Sequence, residues 1–299
     1  MDWILYWFML PVSMLVATTA MLSGIGGAAL FTPIFLVIFP LLGPEYPLAS
    51  PVAAIGVALL TETFGFSSGF VGYFRKRLVD FASAVPFIVV GVPIAITGAL
   101  LAQYADPNLL KGAYAVLMII LAYIMIRHHH PVDDPIAGLE AAPGAAGDQR
   151  PIRTITGRDG TVYRFRAPRQ GKGAAATGLG AFLTGMLSVG IGEVVMPQLS
   201  KRNRVPIPVA AATSVLIVII TVAAASFTQI SAIVAEGGVD AVPWNLVAYT
   251  IPGVIIGGQI GPRLQGKVKQ RDMERAIGVL FAVIGISMFV VTWKGLQGG

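Results

Sequence analysis

Two carboxylic acids lie deep inside apolar stretches of this sequence, and they are the residues best placed to move a proton. Glu62 sits in the middle of the run 49–74, and Glu193 lies among glycines in the run 174–197. An ionised carboxylate is costly to hold in apolar surroundings, so each acid is a functional candidate by default. Such an acid can also take up a proton and become neutral, which suits proton coupling. The alternative for both acids is structural: a neutral carboxyl group hydrogen-bonded to a neighbouring helix.

Two glycine-rich segments offer a second kind of chemistry, the binding of an anion by backbone N–H groups. Met21 to Pro33 reads MLSGIGGAALFTP and Gly185 to Pro197 reads GMLSVGIGEVVMP, and aligning the prolines also aligns Gly26 with Gly190. A helix that breaks at such glycines has unpaired N–H groups at its new N-terminus, where they carry partial positive charge. The candidate binding residues are Ser23, Gly24, Gly26, Gly27, Ser188, Gly190, Gly192, Thr213 and Ser214.

Each of these features also has a simpler interpretation. The glycines could serve only to let helices pack closely. Hydroxyl groups of Ser and Thr in membrane helices usually bond to their own backbone. The weaker polar candidates are Thr61, Thr63, Thr213, Ser214, Gln103, Gln229 and Gln259. The run His128–His130 could suggest a metal, but zinc ligands are usually separated by other residues, so we predict a solvated boundary and no metal or other cofactor.

Composition indicates that a membrane surrounds these residues. Of the 299 residues, 55% are hydrophobic and only 12% are charged, whereas soluble domains carry about 25% charged residues. Apolar runs long enough to cross a bilayer recur along the chain, too often for signal peptides. The absence of cysteine excludes disulfides. The net charge of +6 comes from residues between the apolar runs, so we predict no nucleic-acid partner.

The spans place the candidates in two similar halves. We predict an all-α polytopic membrane protein with roughly eight to ten transmembrane segments, including broken or re-entrant helices at 3–40 and 174–197. Further spans are expected at about 49–74, 81–104, 108–127, 206–235, 243–262 and 276–293. The domains would be 1–127, an N-terminal membrane repeat; 128–173, a polar linker; and 174–299, a C-terminal membrane repeat. In the linker, Asp159-Gly160 lies between alternating runs and predicts a small β-hairpin.

Sequence similarity and charge together predict that the two repeats are inverted. Pro51-Val52-Ala53-Ala54 recurs as Pro208-Val209-Ala210-Ala211, in the same order as the glycine segments. We place the linker and three basic turns, at 75–77, 201–204 and 263–275, in the cytoplasm. Of the 21 Lys and Arg residues, only Lys111 and Lys294 then lie outside. The segment 174–197 must then enter and leave on one side, so the halves have opposite orientation.

The glycine clusters resemble those of the TauE/SafE sulfite exporter family, also called the 4-toluene sulfonate uptake permeases. That family has a glycine cluster, an apolar run and a proline in each half, as in Gly24–Pro33 and Ser188–Pro197. Ala211–Ser214 also resembles the opening of a second-half helix. Glu193 departs from the pattern, because it stands where the family has a small or apolar residue. The resemblance covers nearly the whole chain except 128–173.

The resemblance implies transport of small sulfur-containing anions such as sulfite or organosulfonates. We therefore expect a proton-coupled secondary transporter, an exporter, in which the repeats alternate access and Glu193 or Glu62 carries the proton. It would be a multi-pass protein of the bacterial inner membrane with a cytoplasmic linker. Its partners would be the anion, protons and lipid, with a homodimer as one assembly to test. The alternatives are an anion channel, or an aspartyl-type intramembrane protease using Glu193 in Gly190–Glu193 and Glu62.

Overall fold

The computed structural model describes residues 2–23, 26–127, 151–169, 171–264 and 270–297. The histidine run 128–130 and the first part of the predicted linker lie outside these ranges. Helices of the first half are α1 (Met9–Ser23), α2 (Ala28–Pro33), a π-helical turn π1 (Ile34–Ile38), α3 (Phe39–Leu42), α4 (Pro51–Arg75), α5 (Phe81–Tyr104) and α6 (Pro107–Arg127). Two of them have side-chain caps, since Ser50 accepts from the Ala53 amide at 3.1 Å and Asp80 from the Ser83 amide at 3.2 Å.

The second half repeats this order after a two-stranded hairpin. Its elements are β1 (Ile152–Thr156), β2 (Val162–Arg166), α7 (Gly171–Leu187), α8 (Ile191–Pro197), a π-helical turn π2 (Gln198–Arg202), α9 (Ile207–Gly237), a 3₁₀ turn (Val239–Ala241), α10 (Trp244–Leu264) and α11 (Gln270–Gln297). The described chain is therefore predominantly helical, and it is an all-α polytopic membrane protein apart from the hairpin.

Four helices are long and apolar enough to cross a bilayer, judged over the described residues: α4, α5, α9 and the portion of α6 from Pro107 to Ile126. In α4 and α9, 61% of the most apolar window is buried within the protein, against 33% in α5 and 28% in α6. Large apolar side chains of α5 and α6, such as Val89 and Ile120, are exposed. We conclude that α4 and α9 form the centre, while α5 and α6 face lipid.

Packing between the halves follows a two-fold pattern. Helix α1 packs against α10 of the other half, and the corresponding helices α7 and α5 pack in the same way. Helix α4 contacts both α9 and α10, while α9 contacts both α4 and α5. In this pattern α1 corresponds to α7, α4 to α9 and α5 to α10. When the halves are exchanged, the contact of α1 with α10 becomes that of α7 with α5, and the contact of α4 with α9 stays the same. The two halves therefore interlock rather than stand side by side.

Glycines allow the closest of these contacts. A Cβ added at Gly257 of α10 would collide with the Met14 carbonyl of α1, and one added at Gly185 of α7 would collide with the Ala95 carbonyl of α5. Both collisions are with backbone, which cannot move aside as a flexible side chain can. Close packing is thus one real role of glycine here, as in other small-residue crossings of membrane helices.

Pro33 and Pro197 lie at equivalent places but do not end their helices. Each is followed directly by a π-helical turn, π1 or π2, and the helix continues. A proline lacks an N–H donor and its ring crowds the preceding turn, so a local widening of the helix accommodates it. Neither proline therefore interrupts its helix, and the break of the first half lies between α1 and α2.

Other predicted boundaries shift at polar residues. Helix α11 begins at Gln270, inside the segment expected to be a basic turn, and Lys201 and Arg202 belong to π2. Helix α9 runs through Glu236 to Gly237. Hydropathy marks only the apolar part of a helix, whereas Gln, Lys, Arg and Glu are good helix formers that extend it beyond that part.

The hairpin docks against the first half. Strands β1 and β2 pair antiparallel, with Thr154 opposite Arg164, and Asp159 and Gly160 lie in the turn. Hydrogen bonds from Thr161 hold the pKa of Asp159 below its usual range. Arg153 forms an ion pair of 2.8 Å with Asp80, the cap of α5. The hairpin is therefore tied to the end of α5 by an ion pair in which the acid is buried.

Candidate functional site

The site is built where the two broken helices resume. In the first half α1 ends at Ser23 and α2 starts at Ala28; in the second α7 ends at Leu187 and α8 starts at Ile191. Gly190 has a φ of 142°, and a Cβ there would lie 2.6 Å from the Gly180 carbonyl oxygen. Only glycine fits such a position, because both the backbone conformation and the space exclude a side chain. The second break thus depends on Gly190.

Glu193 joins the two breaks. Its Oε2 accepts from the amide of Gly190 at 3.0 Å, and its Oε1 accepts from the amide of Gly26 at 3.2 Å. The first bond is local, within the opening turn of α8, whereas the second crosses from one half of the protein to the other. A carboxylate at the N-terminus of a helix is well placed, since the unpaired amides there carry partial positive charge. One acid therefore serves the amides of both broken helices.

Glu62 approaches the same point from the middle of α4. A Cβ built on Gly26 would lie 3.0 Å from Glu62 Oε1 and 3.4 Å from Glu193 Oε1. The Glu62 side chain is only 2% exposed, and its carboxyl group interacts electrostatically with the amides of Gly27 and Ala28. Its Oε1 has no hydrogen-bond partner. The two acids singled out in the sequence thus meet at Gly26, and one of the four carboxyl oxygens is unsatisfied.

Hydroxyl groups line the same region. The hydroxyls of Thr32 and Ser188, from opposite halves, lie 2.6 Å apart. Thr184 accepts from the amide of Ile191 at 2.7 Å, and Tyr114 donates to the carbonyl of Ala29 at 2.8 Å. Thr32, Thr184 and Tyr114 were not among the predicted site residues. The two threonines give only a weak signal in the sequence, because a Thr hydroxyl within an apolar helix usually bonds to its own backbone.

The predicted binding residues are only partly brought together. Gly26, Gly27, Ser188, Gly190 and Gly192 lie at the two breaks, as described above. Gly24 and the side chain of Ser23 are outside the described residues. Whether any of these groups binds a substrate remains a prediction.

Thr213 and Ser214 bond elsewhere. The Thr213 hydroxyl accepts from the amide of Asp80 at 3.0 Å, at the start of α5. The Ser214 hydroxyl donates to the Ala211 carbonyl of its own helix. The Thr213 contact joins two helices, and the Ser214 contact lies within one helix. Both side chains therefore have a structural role.

The weaker polar candidates also bond mainly to protein. Thr63 donates to the Leu59 carbonyl of its own turn, and Thr61 pairs with Thr250 at 3.0 Å. The side-chain amides of Gln229 and Gln259 donate to the carbonyls of Gly185 and Ser68, and Gln103 keeps a buried amide nitrogen without a partner. Helix-to-helix bonding accounts for Thr61, Gln229 and Gln259, and a bond within its own helix accounts for Thr63.

The arrangement can hold an anion and exchange a proton. Amides of two half-helices converge on one place, and two carboxyl groups lie beside them. Within the described part of the chain, no ion pair joins Glu62 or Glu193 to a basic side chain. Like charges this close oppose each other's ionisation, so the pair favours holding a proton between them.

Comparison with known proteins supports a transporter. The family model for the sulfite exporter TauE/SafE matches residues 9–288. The chain is 22% identical over 277 residues to the probable membrane transporter protein YunE of Bacillus subtilis strain 168, covering 92% of this chain and 94% of that protein. It is 24% identical over 277 residues to a probable membrane transporter protein of Xylella fastidiosa strain Temecula1, covering 92% and 91%. No solved structure matches the chain significantly.

The matched region contains both helix breaks and both acids. The relatives are named as transporters rather than enzymes, so the protease hypothesis is dropped. The chain belongs to the sulfite exporter TauE/SafE family of multi-pass membrane transporters.

Proposed function

We propose that this protein is a proton-coupled secondary transporter that exports small sulfur-containing anions such as sulfite or organosulfonates. The observation that carries the proposal is the convergence of the Gly26 and Gly190 amides on one carboxylate, that of Glu193. Two amides from different halves already bind the oxygens of one carboxyl group in this protein. A free oxyanion would find the same donors there.

The donors suit an anion with three oxygens. The Gly26 and Gly190 amides supply two N–H groups, and Glu62 would supply an O–H group when it is protonated. Its Oε1 is buried, lacks a partner and lies near Gly26. Three donors around one point match the three oxygens of sulfite or a sulfonate better than the two of a carboxylate. We therefore propose selectivity for sulfur oxyanions over simple carboxylates, in keeping with the name of the family.

The proposed mechanism is alternating access between two inverted repeats. The two-fold pattern of helix packing supports a repeat, and the distribution of Lys and Arg supports opposite orientations with a cytoplasmic linker 128–173. The site lies between the halves, since Glu193 and Gly26 belong to different ones. Rocking of one half against the other would then open the site to either side of the membrane in turn. Glu193 and Glu62 would carry the coupling proton, and we place the protein in a bacterial inner membrane.

Flux measurements test this proposal. Proteoliposomes of the full chain should show saturable uptake or release of radiolabelled sulfite or methanesulfonate that a pH gradient drives. Acetate at equal concentration should compete weakly, because it offers two oxygens instead of three. Flux that does not saturate and ignores the pH gradient would favour a channel, and the absence of anion flux under any gradient would overturn the proposal.

A further inference from the structure

The amides proposed to bind substrate are occupied by the protein itself. Gly26 and Gly190 each donate to Glu193, and the next amide of α8, that of Ile191, donates to Thr184. The amides of Gly27 and Ala28 interact electrostatically with the Glu62 carboxyl group. An incoming anion must therefore replace an acceptor that is already in place.

Glu193 is the acceptor that can leave. It is only partly buried, whereas Glu62 is 2% exposed. It stands in the first turn of α8, where a change of side-chain rotamer would withdraw its oxygens without unfolding the helix. Glu62, in contrast, is enclosed in the middle of α4. Its unpartnered Oε1, directed at Gly26, marks the place as one that another polar group could complete.

Charge makes an ionised Glu193 and a bound anion mutually exclusive. Both would need the same two N–H groups, and each amide has one hydrogen to donate. Three negative groups around Gly26 would also repel one another in surroundings with little water to screen them.

We propose that the Glu193 carboxylate is a tethered competitor of the transported anion, which binds only after a proton has neutralised Glu193 and released it from the Gly26 and Gly190 amides. This inference rests on the proposed function and specifies how proton and substrate are coupled in this chain. The proton adds to the Glu193 carboxylate, its hydrogen bonds to the two amides break, and the anion forms bonds to those amides. Loss of the anion allows Glu193 to release its proton and return.

The surroundings leave the proton as the neutralising agent. The titratable groups that interact electrostatically with Glu193 are Glu62 on α4 and Tyr114 on α6. The neighbouring helices α7, from residue 173, and α9, from 207 to 235, carry no acid or base in their described parts. A cation that could balance Glu193 is therefore not supplied by these helices, and neither Glu62 nor Tyr114 can supply positive charge.

Equilibrium binding of methanesulfonate across pH tests the inference. This anion keeps one negative charge throughout, so any pH dependence belongs to the protein. For the full chain in detergent, the dissociation constant should rise by up to about tenfold per pH unit once Glu193 is ionised. In Glu193→Gln the side chain at 193 no longer ionises, so the dissociation constant should rise less steeply with pH than in the unmodified protein, and the slope that remains belongs to Glu62.

Three further variants make the test specific. Glu236→Gln removes an exposed acid at the end of α9 and should retain the slope of the unmodified protein. Glu62→Gln removes the neighbouring negative charge, so Glu193 ionises more readily and the rise should begin at lower pH. Glu193→Ala also lacks the ionisable side chain and replaces Glu193→Gln if that variant fails to fold. The same dependence of the dissociation constant on pH is expected for both variants.

The outcomes separate this inference from the proposed function. Binding with the same pH slope in the unmodified protein and in Glu193→Ala, or binding without pH dependence in the unmodified protein, overturns the competitor while leaving anion transport intact. Failure of methanesulfonate and thiosulfate to bind any folded variant, at any pH, overturns both. A slope that becomes clearly shallower only when residue 193 is changed, and not in Glu236→Gln, supports the inference.

Discussion

The two helix breaks have the same position in their halves but satisfy their amides differently. At the second break the groups come from the same half: Thr184 accepts from Ile191, and Glu193 accepts from Gly190. At the first break the Gly26 amide takes its acceptor from the other half, Glu193, although Glu62 of α4, from the same half, lies beside it. Ala29, the counterpart of Glu193, has no acid to offer. The second half is therefore self-sufficient, whereas the first depends on it for the Gly26 amide.

This difference shows how two helix breaks can become coupled through one side chain. A symmetric pair of acids would have let each half satisfy its own amides. A single acid shared by both breaks links the halves through one side chain whose charge can change.

The strongest test of the comparison substitutes the equivalent glycines. Gly190→Ala should lower the free energy of unfolding by about 2–4 kcal/mol, because its φ is unfavourable for alanine and its Cβ would meet the Gly180 carbonyl. Gly26→Ala should cost about 1 kcal/mol, because the new methyl group meets the movable side chains of Glu62 and Glu193. Unfolding by denaturant in detergent measures both. Equal losses of unfolding free energy in the two variants would contradict the difference between the two breaks.

Removing the local acceptor of the second break should have the next largest effect. In Thr184→Val the buried amide of Ile191 loses its partner at 2.7 Å, which should cost about 1–3 kcal/mol of stability. Thr63→Val is the control, since that hydroxyl bonds only to the Leu59 carbonyl of its own helix. Thermal unfolding of the two variants should show a clear loss for the first and almost none for the second.

The hydroxyl pair that joins the breaks should contribute less. Thr32→Val and Ser188→Ala each remove one member of the contact of 2.6 Å. A double-mutant cycle should give a coupling energy of about 1 kcal/mol, since the hydroxyls are buried and face each other. Strict additivity of the two substitutions would mean that the pair does not hold the halves together.

The smallest expected effect concerns the hairpin between the halves. Arg153→Gln breaks the ion pair with Asp80, the cap of α5, and should cost up to about 1 kcal/mol because Arg153 is partly exposed. Arg164→Gln, an exposed arginine on the paired strand, is the matched control. An equal loss for Arg164→Gln would argue against the ion pair.

The sequence by itself determined the class of the protein and the local features of its helices. Apolar runs, low charge and basic turns indicated a polytopic helical membrane protein, because each of these properties depends on a single segment and its contact with lipid. The glycines before Ala28 and Ile191 indicated where helices break, since backbone freedom is a local property. Glu62 and Glu193 were recognised because a carboxylate in an apolar run is costly wherever it packs.

Only the tertiary structure decided which groups meet. Gly26 and Glu193 are 167 residues apart, and no local pattern indicates that they bond. Between membrane helices there is little hydrophobic force to select partners, so detailed packing of small residues and single hydrogen bonds decides them. The same packing placed Thr213 against Asp80 and brought Thr32 to Ser188. It also showed that the amides expected to be open to an anion are held by the chain's own acids.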